Sequence, residues 1–238
     1  MSKFGGTLAL GGIAALCMMA CPAVAGPPYV TDDPEPTDTG HWEIYNFGGG
    51  TIENGTIAAA VGVDLNYGAA KNLQLTATLP FALGSDDPFG LGDIEIAAKY
   101  KFLHQGTGFP LDVAFFPRVF VPTARGSTRA QVLLPLWVER DWGKWSLFGG
   151  GGYTINPGAG NRNYWQQGVV MTRTIQPGFS LGLEYYGQGA ASFSDRPVQG
   201  INLGTQIHLH GPFSLLGSIG QGLTRKQTIF YTSLKLDL

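Results

Sequence analysis

The sequence predicts an all-β fold: a closed antiparallel transmembrane β-barrel of twelve strands, preceded by a cleaved signal peptide. Three observations predict it. Apolar and polar residues alternate over segments of about ten residues, the length of a tilted membrane strand. Charged residues make up only 13% of the chain, about half the ~25% of an ordinary soluble domain, yet no long apolar run follows the leader, which excludes a helical membrane protein. The connections between alternating segments are by turns short and long, the loop pattern of a membrane barrel.

The elements follow in order. Residues 1–25 form the expected signal peptide. Lys3 precedes a mostly apolar stretch from Phe4 to Ala20, and Ala23-Val24-Ala25 ends in an A-x-A site before Gly26. Met18-Met19-Ala20-Cys21 loosely resembles a lipid-attachment box, but methionine stands where leucine is expected. Cys17 and Cys21 are the only cysteines, so the mature chain has neither disulfides nor thiolate metal sites. Without Lys3 it carries fourteen basic and seventeen acidic residues, a balance that suggests no nucleic-acid surface. Residues 26–40 are acidic, with prolines at 27, 28, 34 and 36 that cannot sit inside a strand. They read as an extended N-terminal lead to a barrel over 41–238.

Twelve strands are expected near 41–52, 56–69, 72–84, 91–105, 110–122, 129–141, 143–155, 163–175, 178–189, 198–210, 213–221 and 227–238. The fourth is the clearest: Ile94, Ile96, Ala98, Tyr100 and Phe102 share one face, and Asp93, Glu95, Lys99 and Lys101 the other. The last places Phe230, Thr232, Leu234, Leu236 and Leu238 against Tyr231, Ser233, Lys235 and Asp237. Links such as Asp141-Trp142-Gly143, Gln176-Pro177 and Gly211-Pro212 are tight; those near 85–90, 123–128, 156–162 and 190–197 are longer. Short links are periplasmic in such barrels, which puts both termini in the periplasm of a Gram-negative cell. Aromatics fall at both sets of strand ends, among them Trp42, Trp142 and Trp145 at one and Phe81, Tyr153 and Trp165 at the other, as a lipid–water boundary favours.

Several motifs resemble the outer-membrane proteins grouped under the meta-pathway of phenol degradation. They are Val30-Thr31-Asp32-Asp33-Pro34, Gly40-His41-Trp42-Glu43, Asn72-Leu73-Gln74-Leu75, Leu134-Pro135-Leu136-Trp137, Gly143-Lys144-Trp145 and the run from Gly149 through Asn156-Pro157-Gly158 to Asn161-Arg162-Asn163-Tyr164-Trp165. The resemblance spans most of the mature chain. It implies a transporter-like barrel with an association with aromatic catabolism, and no catalytic residues. One departure is Leu238, because the signal read by the outer-membrane assembly machinery commonly ends in phenylalanine.

Parity assigns Asp64, Asp93, Glu95, Asp112, Glu139, Glu184 and Asp237 to the lumen, with Lys99, Lys101, Arg118, His208 and Lys235. Charge on the lipid face would cost ~2–4 kcal/mol at mid-membrane for Arg or Lys. These groups either line a hydrated path with a mild cation preference or pair across a narrow lumen and fill it. Pro80, Pro117 and Pro135 interrupt strands and remove ladder donors. Residue numbers summing to about 251–253 should face each other across the fifth and sixth strands, which sets Pro117 nearly opposite Pro135. Such a kinked wall is either an ordinary bulge or a sideways opening for apolar molecules. No G-x-S-x-G or H-E-x-x-H pattern occurs, and His41, His104, His208 and His210 fall at inferred periplasmic ends. No catalytic residue, metal site or cofactor is assigned. Arg125, Arg129, Arg162, Arg196 and Arg225 are candidates to meet lipopolysaccharide phosphates. The expected function is an outer-membrane channel or facilitator for small, aromatic or apolar solutes. A plugged structural or adhesive barrel is the alternative, and a lipid-modifying enzyme the third.

Overall fold

The computed structural model describes residues 27–84 and 89–238; the expected signal peptide lies outside them. Among the described residues, fourteen strand segments run antiparallel in one sheet. They are β1 (Trp42–Glu53), β2 (Thr56–Ala70), β3 (Leu73–Gly84), β4 (Gly90–Leu91), β5 (Ile94–Leu103), β6 (Asp112–Phe115), β7 (Arg118–Val121), β8 (Gln131–Trp142), β9 (Trp145–Ile155), β10 (Tyr164–Gln176), β11 (Phe179–Gln188), β12 (Val198–His210), β13 (Phe213–Gly222) and β14 (Gln227–Asp237). β4 with β5, and β6 with β7, are halves of interrupted strands, so the barrel has twelve staves. Each stave pairs with the next, and β1 closes on β14 from Glu43↔Asp237 to Glu53↔Gln227. Closure leaves no sheet edge, the condition for a β-structure in lipid.

The break between β6 and β7 falls at Pro117, as expected, whereas β3 and β8 run on through Pro80 and Pro135, which corrects the expectation that these two prolines interrupt their strands; the split between β4 and β5 corrects the expectation of one strand over 91–105. Pro117 has no N–H, so it cannot donate back across the pair it makes with Ala98. Its carbonyl still accepts from the Ala98 N–H at 3.2 Å, and the Pro135 carbonyl accepts from the Phe116 N–H at 3.2 Å. Beside β4, the Pro80 carbonyl accepts from the Gly92 N–H at 2.8 Å. The wall is thus bonded across all three prolines. Register holds through the break, with Phe115↔Leu136 on one side and Arg118↔Leu133 on the other. Pro117 therefore faces Leu134, and Pro135 faces Phe116.

One end of the barrel carries most of the tight turns, with Gly40 and Leu238; the other carries most of the longer loops. At the turn end, Asn72 adopts φ 66°. At the loop end, Asn54 and Gly55 have φ 51° and 83°, the pair of left-handed residues that a two-residue hairpin turn needs. Alternation decides what each strand buries. Along β5, Ile96 and Tyr100 are exposed outward, while Glu95, Ala97, Lys99 and Lys101 are buried inside. Trp42, Trp142 and Trp145 ring the turn end outside, Trp42 lying 4.7 Å from Tyr67. Tyr153 and Trp165 pair at 5.1 Å toward the loop end.

The segment Pro27–Gly40 makes no strand and lies within the barrel. The Gly40 N–H bonds the Gly68 carbonyl at the turn end, and the chain then climbs past Gln74 and Lys101 to mid-lumen. There it crosses from β5 and β7 toward β11, ending near β13, where Ser218 Oγ donates to the Pro28 carbonyl at 2.6 Å.

Candidate functional site

The lumen holds the chain's buried charge, and most of it meets the N-terminal segment. Asp32 is the centre. Its Oδ1 accepts from Lys99 Nζ at 3.0 Å, and its Oδ2 pairs with the Arg118 guanidinium. Arg118 Nη1 also lies 3.5 Å from Glu95 Oε1. Side-chain exposure is at most 7% for each of these four groups, so their charges are matched almost without water. Such pairs are costly to break, because the remaining partner is left as an uncompensated buried charge. Phe116 supplies a floor: Lys99 Nζ sits 4.9 Å and the Arg118 guanidinium 4.2 Å from its ring centroid. Lower down, Lys101 pairs with Glu35 and stands 3.8 Å from Asp112.

Across the lumen, Glu184 is fully buried on β11 and receives the segment's backbone. The Val30 and Thr31 N–H groups donate to its two oxygens at 3.1 and 2.6 Å, and Asn202 Nδ2 donates at 2.6 Å. Tyr29 fills a slot made by Phe148 and Val170, where Gly182 and Gly204 leave room. A Cβ at either glycine would overlap the Tyr29 ring or hydroxyl, and one at Gly168 would overlap the Thr31 hydroxyl. Burial and the nearby Glu184 carboxylate push the Tyr29 phenol well above its usual range, so it stays neutral.

A polar ladder lines the wall between β2 and β3. Gln74 accepts from the Thr37 N–H at 2.8 Å and donates to Asn66 at 2.7 Å; Thr78 and Asn66 donate to Asp64 at 2.8 and 3.1 Å. Between this ladder and the Asp32 cluster lies a cavity of about 60 Å³, lined by Asp64, Glu95, Lys99, Arg118 and Tyr45 among others. The other assigned residues scatter. Glu139 accepts from Ser146 Oγ, and Lys235 bridges Glu43 at 3.0 Å and Asp237 at 2.8 Å near the turn end. His208 is exposed at that mouth. Asp93 ties down the loop after β7, accepting from the Ala124 N–H and Ser127 Oγ at 2.9 Å each.

Sequence reasoning missed two features. The first is the segment's place inside the barrel: its prolines carry no periodicity, and its partners lie as far as 190 residues away. The signal was the acidic run Asp32-Asp33-Glu35 set against the inward Lys99, Lys101 and Arg118. The second is an apolar inward patch of Phe116, Leu133 and Trp137, all buried at positions that parity marked as lumen. At the loop end, Arg225 pairs with Asp195, and Arg162 covers the Phe193 ring at 5.5 Å.

The fold is that of outer-membrane barrels. An outer membrane channel from Pseudomonas putida F1 superposes with a TM-score of 0.66, at 16% identity over 87% of this chain and 98% of that one. The KdgM porin, solved in complex with disordered oligogalacturonate, superposes with a TM-score of 0.60, at 10% identity over 82% and 98%. No family model matches the sequence, and no curated protein matches it. At these identities the likeness is one of fold.

Proposed function

We infer that the protein is an outer-membrane channel or facilitator for small solutes, with the N-terminal segment as a resident constriction. The observation that carries this reading is the chemistry of the interior. Wall and segment meet through carboxylates, cations and hydrogen-bond donors that leave between them a polar cavity of about 60 Å³, the lining that a hydrated path would have. The two similar folds, a channel and a porin, support it by analogy alone.

Acidic groups outnumber basic ones along the lumen. Asp32, Asp33, Asp64, Glu43, Glu95 and Glu184 face or flank the path, against Lys99, Arg118, Lys101 and Lys235. That excess favours cations and neutral solutes over free anions. Aromatic solutes fit the resemblance to proteins associated with phenol catabolism. The turn end, where the N-terminal segment enters the lumen and the last strand ends, faces the periplasm on this reading.

Liposome swelling tests it. Proteoliposomes should admit small neutral solutes and exclude large ones, with a size limit that rises when residues 27–37 are deleted. Impermeability of folded protein in both forms would favour the plugged scaffold, for which the filled mid-lumen is the one supporting observation.

A further inference from the structure

We propose that Lys99 and Arg118 form a carboxylate-binding seat in the lumen, held by the chain's own Asp32 and open to competition from a small organic carboxylate of acetate's size. The proposal builds on the channel reading, but it is tested by binding and not by flux. Both Asp32 oxygens are taken, one by each cation, the arrangement a receptor for any carboxylate would have. The cations belong to the wall and not to the segment. They project from neighbouring staves β5 and β7 onto one ring, that of Phe116. Glu95 supports Arg118 from the other side, so the cation geometry does not depend on Asp32 alone.

The seat opens on the cavity of about 60 Å³, which Asp32, Glu95, Lys99, Phe116 and Arg118 all line. That is room for a carboxylate with one or two carbons. Asp32 can give way without loss of the whole segment, because Glu184 holds the backbone at Val30 and Thr31, and Gln74 holds Thr37. As a tethered competitor it acts at an effective concentration on the order of millimolar, so a free carboxylate meets a partly closed site. The surrounding acid lowers the local anion concentration further, which is why equilibrium binding is the informative readout.

The test uses full-length protein folded in detergent micelles, with sodium acetate as probe, acetamide as neutral isostere and sodium chloride at equal ionic strength. Saturation-transfer NMR should show acetate binding at least tenfold tighter to Asp32→Ala than to wild type. Acetamide should not bind, and adding Lys99→Met should remove the gain. Should Asp32→Ala fail to fold in chloride, acetate should restore its heat-modifiable form where acetamide does not. Acetate behaving like chloride and acetamide in both assays would overturn the seat, and would leave the channel reading to stand or fall on swelling.

Discussion

Two residues carry most of the coupling between wall and segment: Asp32, which brings a charge to two cations, and Glu184, which brings a charge to two backbone donors. Hydrogen bonds to a buried charge are worth about 1.5–3 kcal/mol each. Glu184→Gln keeps the volume but loses an acceptor and sets an amide donor against Asn202. We expect the Val30 and Thr31 amides in that variant to exchange with solvent at least tenfold faster, read by hydrogen-exchange mass spectrometry, with the strand amides of β8–β10 unchanged. Unaltered exchange at both amides would mean that Glu184 does not hold the segment. The inward placement of Asp64, Glu95, Lys99, Arg118 and Glu184 could be read from parity, because charge has one tolerable side of a membrane strand. Their partners could not. Ion pairs between residues 67 or 86 positions apart leave no local trace in sequence.

At the scale of elements, strands were legible and their interruptions only partly so. Period two gives the facing of β5 and β14 residue by residue, and the loop centred near Arg125 gives the β7–β8 register within a residue or two. The break in the fifth stave was marked by Pro117, whereas the split at β4 was not, since it depends on Gly92 meeting Pro80 across the pair. Restoring a donor tests the first cause. In Pro117→Ala the new N–H faces the Ala98 carbonyl, so it should exchange slowly and join β6 to β7. Fast exchange at position 117 would place the cause of the break elsewhere. The glycines of β11 and β12 make a second test. Gly182→Leu puts side-chain atoms where Tyr29 lies, so it should expel the segment from mid-lumen and raise single-channel conductance several-fold. Gly217→Ala, whose Cβ meets only the Tyr231 carbonyl at 3.6 Å, should leave conductance as it is. Equal conductance in all three proteins would show that the segment does not limit passage.

At the scale of the molecule, the account is of a closed twelve-stave barrel with an apolar exterior and a charged interior shared with its own N-terminal segment. The exterior follows from alternation and could be foreseen. The shared interior does not follow from alternation, because a proline-rich segment has no period; its one trace in sequence is the acidic run Asp32-Asp33-Glu35 that matches the inward cations. The acidic excess predicts cation preference: under a potassium chloride gradient, the reversal potential should have the sign of potassium permeation. Glu95 and Asp64 border the cavity, so neutralising both should move that potential toward zero. The measurement that bears most directly on the central claim is planar-bilayer conductance of the wild-type chain beside a variant lacking residues 27–37, each first shown to be heat-modifiable on a gel. The account predicts small discrete steps for the wild type and steps several-fold larger for the variant. Silence from both folded proteins would contradict it and leave a barrel that conducts nothing through its lumen.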